Sequence, residues 1–264
     1  MKKFGVIGDP IEHSLSPLFH NHIFNQLGLN MSYESFLVNK NQLSSFVNSS
    51  NLDGYNVTIP HKEIIINHLD IDSFSDSASI IGAVNCVHQG KGYNTDWLGF
   101  LKAMKINNIN LKDLDCAIIG AGGVAKAVAY ALIKSNVKSI SVINRTQSKA
   151  DALIKWVDTH YSNRAANSYN VYVNCTPLGM WPKTSNVPFD INKILPHQII
   201  IDTIYNPIET KWMKQVRENG ANVVGGLDMF IYQALASLDL WLGKDISNHI
   251  ELESIKKVLK LKLC

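Results

Sequence analysis

Cys116-Ala117-Ile118-Ile119-Gly120-Ala121-Gly122-Gly123-Val124-Ala125 is the stretch on which the reading of the fold turns. An apolar, strand-like run passes directly into Gly-x-Gly-x-x-Ala, and a helical segment, Val124–Lys134, follows. In that context the glycines read as the permitted variant of the dinucleotide fingerprint. Gly120 allows the tight turn, Gly122 allows close approach to a pyrophosphate, and Ala125 lets the helix pack near the strand. Ala121, Gly123 and Val124 complete the loop, and the helix N-terminus faces the phosphates.

The next strand, Ser139–Ile143, ends where an acidic residue would bind the ribose 2′-hydroxyl of NAD. Asn144-Arg145-Thr146 stands there instead, with Lys149 one turn later. No carboxylate opposes a 2′-phosphate, Arg145 can grip one with paired donors, and Thr146 can cap the next helix or donate to it. The pattern predicts NADP(H), the alternative being an ordinary polar loop with a helix cap. Asn174–Met180, Thr203-Ile204-Tyr205-Asn206-Pro207 and Gly225-Gly226 each follow a strand end. They are candidates to line the nicotinamide half of the pocket, and each also reads as a simple turn.

Strands and helices alternate along most of the 264 residues, which predicts an α/β protein with largely parallel sheets. The asparagine-rich run Asn107–Asp113 marks a boundary. The expected plan is a first α/β domain over 1–106, a Rossmann-type doubly wound domain over 107–227, and C-terminal helices over 228–264 that pack back on the first. Hydrophobic residues make up 46% and charged residues 18%, with a net charge of +3, a globular composition that implies neither a nucleic-acid nor a membrane partner. No run approaches transmembrane length, and the apolar stretch near the N-terminus is too short for a signal peptide. Cys86, Cys116, Cys175 and Cys264 are widely spaced and the nine histidines form no ligand pair, so reduced cysteines, no metal and a cytoplasmic location are expected.

In the first half, Gly54–Ile59 reads as a strand and Pro60 as the first residue of a helix through His61-Lys62-Glu63-Ile64-Ile65-Ile66. Lys62 would then lie near the positive end of a helix dipole, where an ammonium is disfavoured and a proton is readily traded. A plain surface lysine is the alternative. Ser14-Leu15-Ser16-Pro17 leads into a helix, so Ser16 reads as an N-cap, or with Ser14 as a carboxylate receptor. Asn85, inside the apolar strand Ala83–Val87, needs partners if buried, and a ligand hydroxyl is one candidate. Asp96 caps a helix or faces Lys62. Gln233 adds a further amide.

Taken in order, these motifs resemble those of the shikimate/quinate dehydrogenase family, and of its NADP-dependent shikimate dehydrogenases in particular, over essentially the whole chain. Ser14-Leu15-Ser16-Pro17 resembles the family's serine motif and Asn56-Val57-Thr58-Ile59-Pro60-His61-Lys62 its catalytic-lysine motif. Gly82-Ala83-Val84-Asn85, Asn94-Thr95-Asp96, the two nucleotide loops, and Gly226-Leu227-Asp228-Met229 with Gln233 complete the set. The resemblance implies reversible reduction of 3-dehydroshikimate to shikimate by NADPH, a step of chorismate and aromatic amino-acid biosynthesis. It implies that Ser14 and Ser16 bind the substrate carboxylate and that Thr58, Asn85, Asp96, Tyr205 and Gln233 contact the ring groups. Lys62 would be the acid/base with Asp96 orienting or charging it, and Thr203 and Gly226 would join the glycine loop, Asn144, Arg145, Thr146 and Lys149 around the cofactor. The implied partner is a small molecule, and the implied assembly a monomer or homodimer. Two alternatives accompany this reading: a quinate/shikimate dehydrogenase of broader specificity, and a non-catalytic NADPH-binding regulator on the same fold.

Overall fold

The computed structural model describes residues 1–70, 72–163, 166–243 and 245–263, so Cys264 lies outside the described residues. The chain divides into two compact units, the first made of Met1–Thr95 with Gln233–Lys262 and the second of Asp96–Tyr232.

The first unit contains β1 (Lys2–Gly8), α1 (Ser16–Gln26), β2 (Met31–Leu37), α2 (Leu43–Ser49), β3 (Gly54–Val57), α3 (Asp76–Ile81), β4 (Cys86–His88) and β5 (Lys91–Tyr93). Its sheet has the order β2-β1-β3-β4-β5. β2, β1 and β3 are parallel, while β4 and β5 turn back antiparallel. The interior strand β1 follows the period-2 rule on two buried faces. Ile7 joins Val57, Ile65, Val84 and Val87 on one face. Phe4 lies on the other, stacked on Trp241 at 4.9 Å and tilted against Phe24.

Two local expectations are corrected here. The segment after Pro60 forms a turn and a short 3₁₀ helix, Ile65–His68, instead of a helix beginning at Pro60. The Lys62 carbonyl, which would accept from residue 66 in a helix, accepts from the Val84 N–H at 2.7 Å. The neighbouring His61 side chain is drawn inward to the Val38 carbonyl, Nε2 to O 2.6 Å. The His61 carbonyl still accepts from the Ile65 N–H at 2.9 Å, but with the Lys62 carbonyl committed to Val84 that one turn is not continued as a helix. Likewise Asn85 lies just before β4, and the chain continues through Gln89 and Gly90, both in the left-handed region, into the hairpin partner β5.

The second unit contains α4 (Asp96–Ile106), β6 (Asp115–Ile119), α5 (Gly123–Lys134), β7 (Ser139–Ile143), α6 (Gln147–His160), β8 (Val171–Asn174), β9 (Ile199–Asp202), α7 (Lys211–Glu218) and β10 (Asn222–Val224). Its sheet runs β10-β9-β8-β6-β7 and is parallel throughout. The chain steps from β6 outward to β7, then crosses back to β8 on the other side of β6, so the topological switch lies beside β6. Small residues let α5 come close to its surroundings: Ala125, Ala127, Ala129 and Ala131 are all fully buried. Phe100, Ala103 and Met104 of α4 and Leu111 of the asparagine-rich run lie in the same core as α5. The break between units therefore falls between Thr95 and Asp96, and the polar run at 107–113 lies within the second unit.

Helix α8 (Leu227–Leu242) contributes its first residues to the second unit and the rest, from Gln233, to the first. In the first unit it is followed by α9 (Leu252–Lys260), where Ser254 bonds His22 of α1 at 3.0 Å. Trp241 anchors the C-terminal part of α8: its Nε1 donates to the Val87 carbonyl at 3.1 Å. Its ring lies so close to β3 that a Cβ on Gly54 would stand 2.5 Å from the indole nitrogen. Gly54→Ala is therefore expected to destabilise the first unit by about 1–3 kcal/mol through overpacking, measurable by denaturant unfolding followed through tryptophan fluorescence.

Candidate active site

In the first unit, the carboxyl ends of the neighbouring parallel strands β1 and β3 begin the two loops that carry the serine and lysine motifs. They are tied closely: Thr58 N–H donates to Ile7 O at 2.9 Å and Asp9 N–H to Ile59 O at 3.0 Å. Gly8 permits this approach, since a Cβ there would lie 2.6 Å from the Thr58 methyl. Beyond it, Ser14 Oγ accepts from the Ser16 N–H at 3.3 Å. The expected Ser16 cap is corrected: Leu15 occupies the N-cap position without a side-chain cap bond, and Ser16 is the first helical residue, with Pro17 behind it needing no N–H partner.

Lys62 is half-buried and its carbonyl bond to Val84 N–H brings the lysine turn beside Asn85. Asn85 is 2% exposed, and its amide is fully engaged: Oδ1 accepts from Thr95 N–H at 2.6 Å, while Nδ2 donates to Thr95 Oγ1 at 2.9 Å and Gln233 Oε1 at 3.2 Å. The first unit thus gathers Thr58, Lys62, Asn85 and Gln233 at one end of its sheet, with the loop bearing Ser14 and Ser16 leaving from that same end.

The second unit collects the nucleotide motifs at the carboxyl ends of β6, β7, β8 and β9, where open parallel sheets bind ligands. Gly120 has φ +111°, and a Cβ on it would meet the Cys175 carbonyl at 3.0 Å, so only glycine makes this turn without strain. Gly122 is the N-cap of α5, without a side-chain cap. A Cβ added there would meet nothing within 4 Å, so the bare helix N-terminus presents open space and N–H donors of the kind that hold a dinucleotide pyrophosphate. Ala121, Gly123 and Val124 complete that turn. At the end of β7, Asn144 Nδ2 donates to Thr146 O at 2.8 Å, and Arg145, Thr146 and Lys149 are exposed. Thr146 occupies the N-cap of α6 but makes no cap bond. These residues fit a 2′-phosphorylated dinucleotide.

At the end of β9, a Cβ on Gly226 would meet the Thr203 carbonyl oxygen at 2.4 Å, and the Gly226 N–H donates to Ile204 O at 3.1 Å. Thr203, Tyr205 and Gly226 therefore sit together. The Tyr205 ring lies 4.5 Å from that of Phe230, and burial pushes its phenol up to about 12, which keeps it a neutral donor. Asp96, 4% exposed, opens α4. With burial and Asp202, its charge raises the Cys175 thiol, which places Asp96 toward the carboxyl end of β8.

Asp202 is a residue that motif reading missed. It is fully buried at the end of β9 and accepts from Asn174 Nδ2 at 3.0 Å, Ile204 N–H at 3.0 Å and Thr210 Oγ1 at 2.8 Å. One carboxylate thereby joins the β8 loop, the Thr203–Tyr205 loop and the cap of α7. The signal was present, since a carboxylate closes the run Ile199-Ile200-Ile201. Among the described residues, no helix is long and apolar enough to cross a membrane and no cluster of side chains could hold a metal ion.

A parallel, doubly wound sheet with a bare glycine turn and a basic second loop, joined in one chain to an α/β unit bearing a lysine and paired amides, defines a nucleotide-dependent oxidoreductase of two α/β units. The model of the shikimate dehydrogenase substrate-binding domain matches residues 6–87, and that of shikimate/quinate 5-dehydrogenase matches residues 102–176. The shikimate dehydrogenase (NADP(+)) of Bacillus cereus is 37% identical over 257 residues, spanning 91% of this chain and 92% of that protein. The corresponding enzyme of Geobacillus kaustophilus is 37% identical over 259 residues, spanning 92% and 93%. Among solved structures, a shikimate dehydrogenase in complex with NADP+ superposes with a TM-score of 0.91 at 34% identity, covering 100% of this chain and 96% of that one. That of Thermus thermophilus with NADP(H) and shikimate gives 0.81 at 34% identity, covering 92% and 94%. The chain belongs to the shikimate dehydrogenase family.

Asp202 gives this site a pH signature. Burial raises its carboxyl from 3.8 to about 6, against the lowering effect of its hydrogen bonds. The folded protein holds this proton more tightly than the unfolded chain does, so the stability it contributes is complete below about pH 4 and declines as pH rises through about 6. Asp202→Asn should abolish that decline. Denaturation at about pH 4 and pH 7 is expected to show the wild type losing roughly 2–3 kcal/mol more than the variant.

Proposed function

We propose that this protein catalyses the reversible, NADPH-dependent reduction of 3-dehydroshikimate to shikimate. The observation that carries the reading is the gathering of Thr58, Lys62, Asn85 and Gln233 at one end of the first unit's sheet. It is supported by family membership and by a second unit whose loops suit a 2′-phosphorylated dinucleotide. The first unit serves as the substrate domain and the second as the NADP domain. When bound, NADPH supplies the hydride.

Ser14 and Ser16 receive the substrate carboxylate, and Thr58, Asn85, Asp96, Tyr205 and Gln233 contact the ring groups, Asn85 by exchanging its bond to Gln233 for one to the substrate. Lys62 gives its proton to the oxygen of the reduced carbonyl and recovers one from solvent. In the reverse direction it takes the hydroxyl proton as hydride leaves. Asp96 orients Lys62 for that transfer. Gly120 to Val124 cradle the pyrophosphate, with Thr203 and Gly226 at the nicotinamide. Asn144, Arg145, Thr146 and Lys149 hold the 2′-phosphate. We place the enzyme in the cytoplasm, as a monomer or homodimer. Following NADPH absorbance with shikimate, with quinate and without substrate tests the reading: turnover with shikimate and NADP is expected, and its absence would overturn it.

Lys62→Ala should lower turnover by roughly 10²–10⁴ with a much smaller change in substrate KM, because a proton donor acts in the transition state. Near wild-type turnover would refute the assignment of Lys62 as the acid/base.

Arg145→Ala removes charge-assisted bonds worth about 1.5–3 kcal/mol each and should raise the KM for NADP roughly tenfold or more. Use of NAD should change little, so equal loss with both cofactors would contradict the 2′-phosphate role.

A further inference from the structure

The ends of β8 and β9 are joined by two side chains that the glycine turn and the basic loop do not account for. Asn174 and Asp202 stand opposite each other in the parallel register, and both are fully buried. Asn174 Nδ2 donates to Asp202 Oδ1 at 3.0 Å. Asn174 Oδ1 accepts from the Thr176 N–H at 3.0 Å and from Thr176 Oγ1 at 2.7 Å, and Thr176 Oγ1 accepts from the Leu178 N–H at 3.2 Å. The Asn174 carbonyl accepts from the Thr203 N–H at 3.1 Å and from Thr203 Oγ1 at 2.9 Å. Asp202 takes the Ile204 N–H on Oδ1 and the Thr210 hydroxyl on Oδ2, and Thr210 Oγ1 caps α7 by accepting from the Met213 N–H.

Main-chain donors make both side chains necessary. The Thr176 N–H can only donate, so the Asn174 atom beside it is oxygen and the amide nitrogen is left for Asp202. The Ile204 N–H likewise requires an acceptor at residue 202. Removing either side chain takes an acceptor from one of these N–H groups and cuts the side-chain link between the two loops. Those loops border the nucleotide turns. A Cβ on Gly120 would meet the Thr176 methyl at 3.0 Å, and one on Gly226 would meet the Thr203 carbonyl at 2.4 Å. The basic loop lies on the other side of β6, at the end of β7. A dinucleotide with its pyrophosphate at the glycine turn and its 2′-phosphate at the basic loop therefore extends its other half over β8 and β9.

We propose that Asn174 and Asp202 are positioning residues that hold the β8 and β9 loops in place for the nicotinamide half of the cofactor. The inference rests on the reading of the second unit as an NADP domain. Its consequence is a division of labour within one site. Loss of Arg145 weakens any ligand that carries the 2′-phosphate, whereas loss of the buried pair weakens only a ligand that also carries the nicotinamide half.

The test is calorimetric titration of the full chain, without substrate, with NADP and with adenosine 2′,5′-bisphosphate, the half of NADP that lacks nicotinamide. Asp202→Ala is expected to weaken NADP binding roughly tenfold. Affinity for the bisphosphate should change by less than about twofold, because that fragment belongs to the β6–β7 side of the site. Asp202→Asn keeps an oxygen for Asn174 and the Ile204 N–H and an amide that can donate to Thr210 Oγ1, so it should bind both ligands as the wild type does. Asn174→Ala should repeat the selective loss, and it carries the test if Asp202→Ala is not recovered folded. The bisphosphate stoichiometry counts the folded second units in each preparation. Unchanged NADP affinity in the alanine variants, an equal loss for both ligands, or an Asp202→Asn protein that binds like Asp202→Ala would overturn the proposal. A wild type that binds neither ligand would instead overturn the reading of an NADP domain, and the proposal with it.

Discussion

A buried polar side chain must find partners, and at the ligand end of each sheet a single such side chain ties together the loops that carry function. In the first unit it is Asn85, held through Oδ1 by the Thr95 N–H at 2.6 Å. A main-chain N–H cannot reverse its polarity, so it imposes one orientation on the amide and, through it, on Gln233. In the second unit it is the Asp202 carboxylate, whose acceptors are filled by Asn174, the Ile204 N–H and Thr210. Removing either group would leave buried donors or acceptors without partners, at about 1–3 kcal/mol for each unsatisfied group.

Close backbone approach is the second constraint. Gly8 admits the Thr58 methyl, Gly120 admits the Cys175 carbonyl, and Gly226 admits the Thr203 carbonyl, each within about 3 Å of where a Cβ would stand. Three strand ends are thereby drawn against their neighbours, and side chains from distant parts of the chain converge. Gly122 plays a different part. Nothing crowds it, and its use is to keep the α5 N-terminus bare for an anion.

The corrections come where local signals meet the packing of the chain. Pro60 and the isoleucines after Lys62 carry local helix signals, but the Lys62 carbonyl is claimed by Val84, a residue distant in sequence. Ser16 has the chemistry of a cap, yet the helix begins one residue earlier than a cap at Ser16 requires. The asparagine-rich run looks like a linker because its polar residues are local facts, whereas the burial of Leu111 beside Ala103 and Met104 depends on how α4 packs. At Lys62 a long-range partner overrides a local preference worth little by itself.

The sequence by itself determined the alternation of strands and helices, the glycine turn, the basic loop after β7 and the identity of the reactive side chains. These are written in short-range patterns: period, turn chemistry, and the absence of a carboxylate at 144–149. Only the tertiary structure decided how the Asn85 amide is held between Thr95 and Gln233, and that Asp202 gathers the β8 and β9 loops. Those outcomes depend on which donor meets which acceptor across dozens of residues of intervening chain, and no local propensity encodes such a pairing.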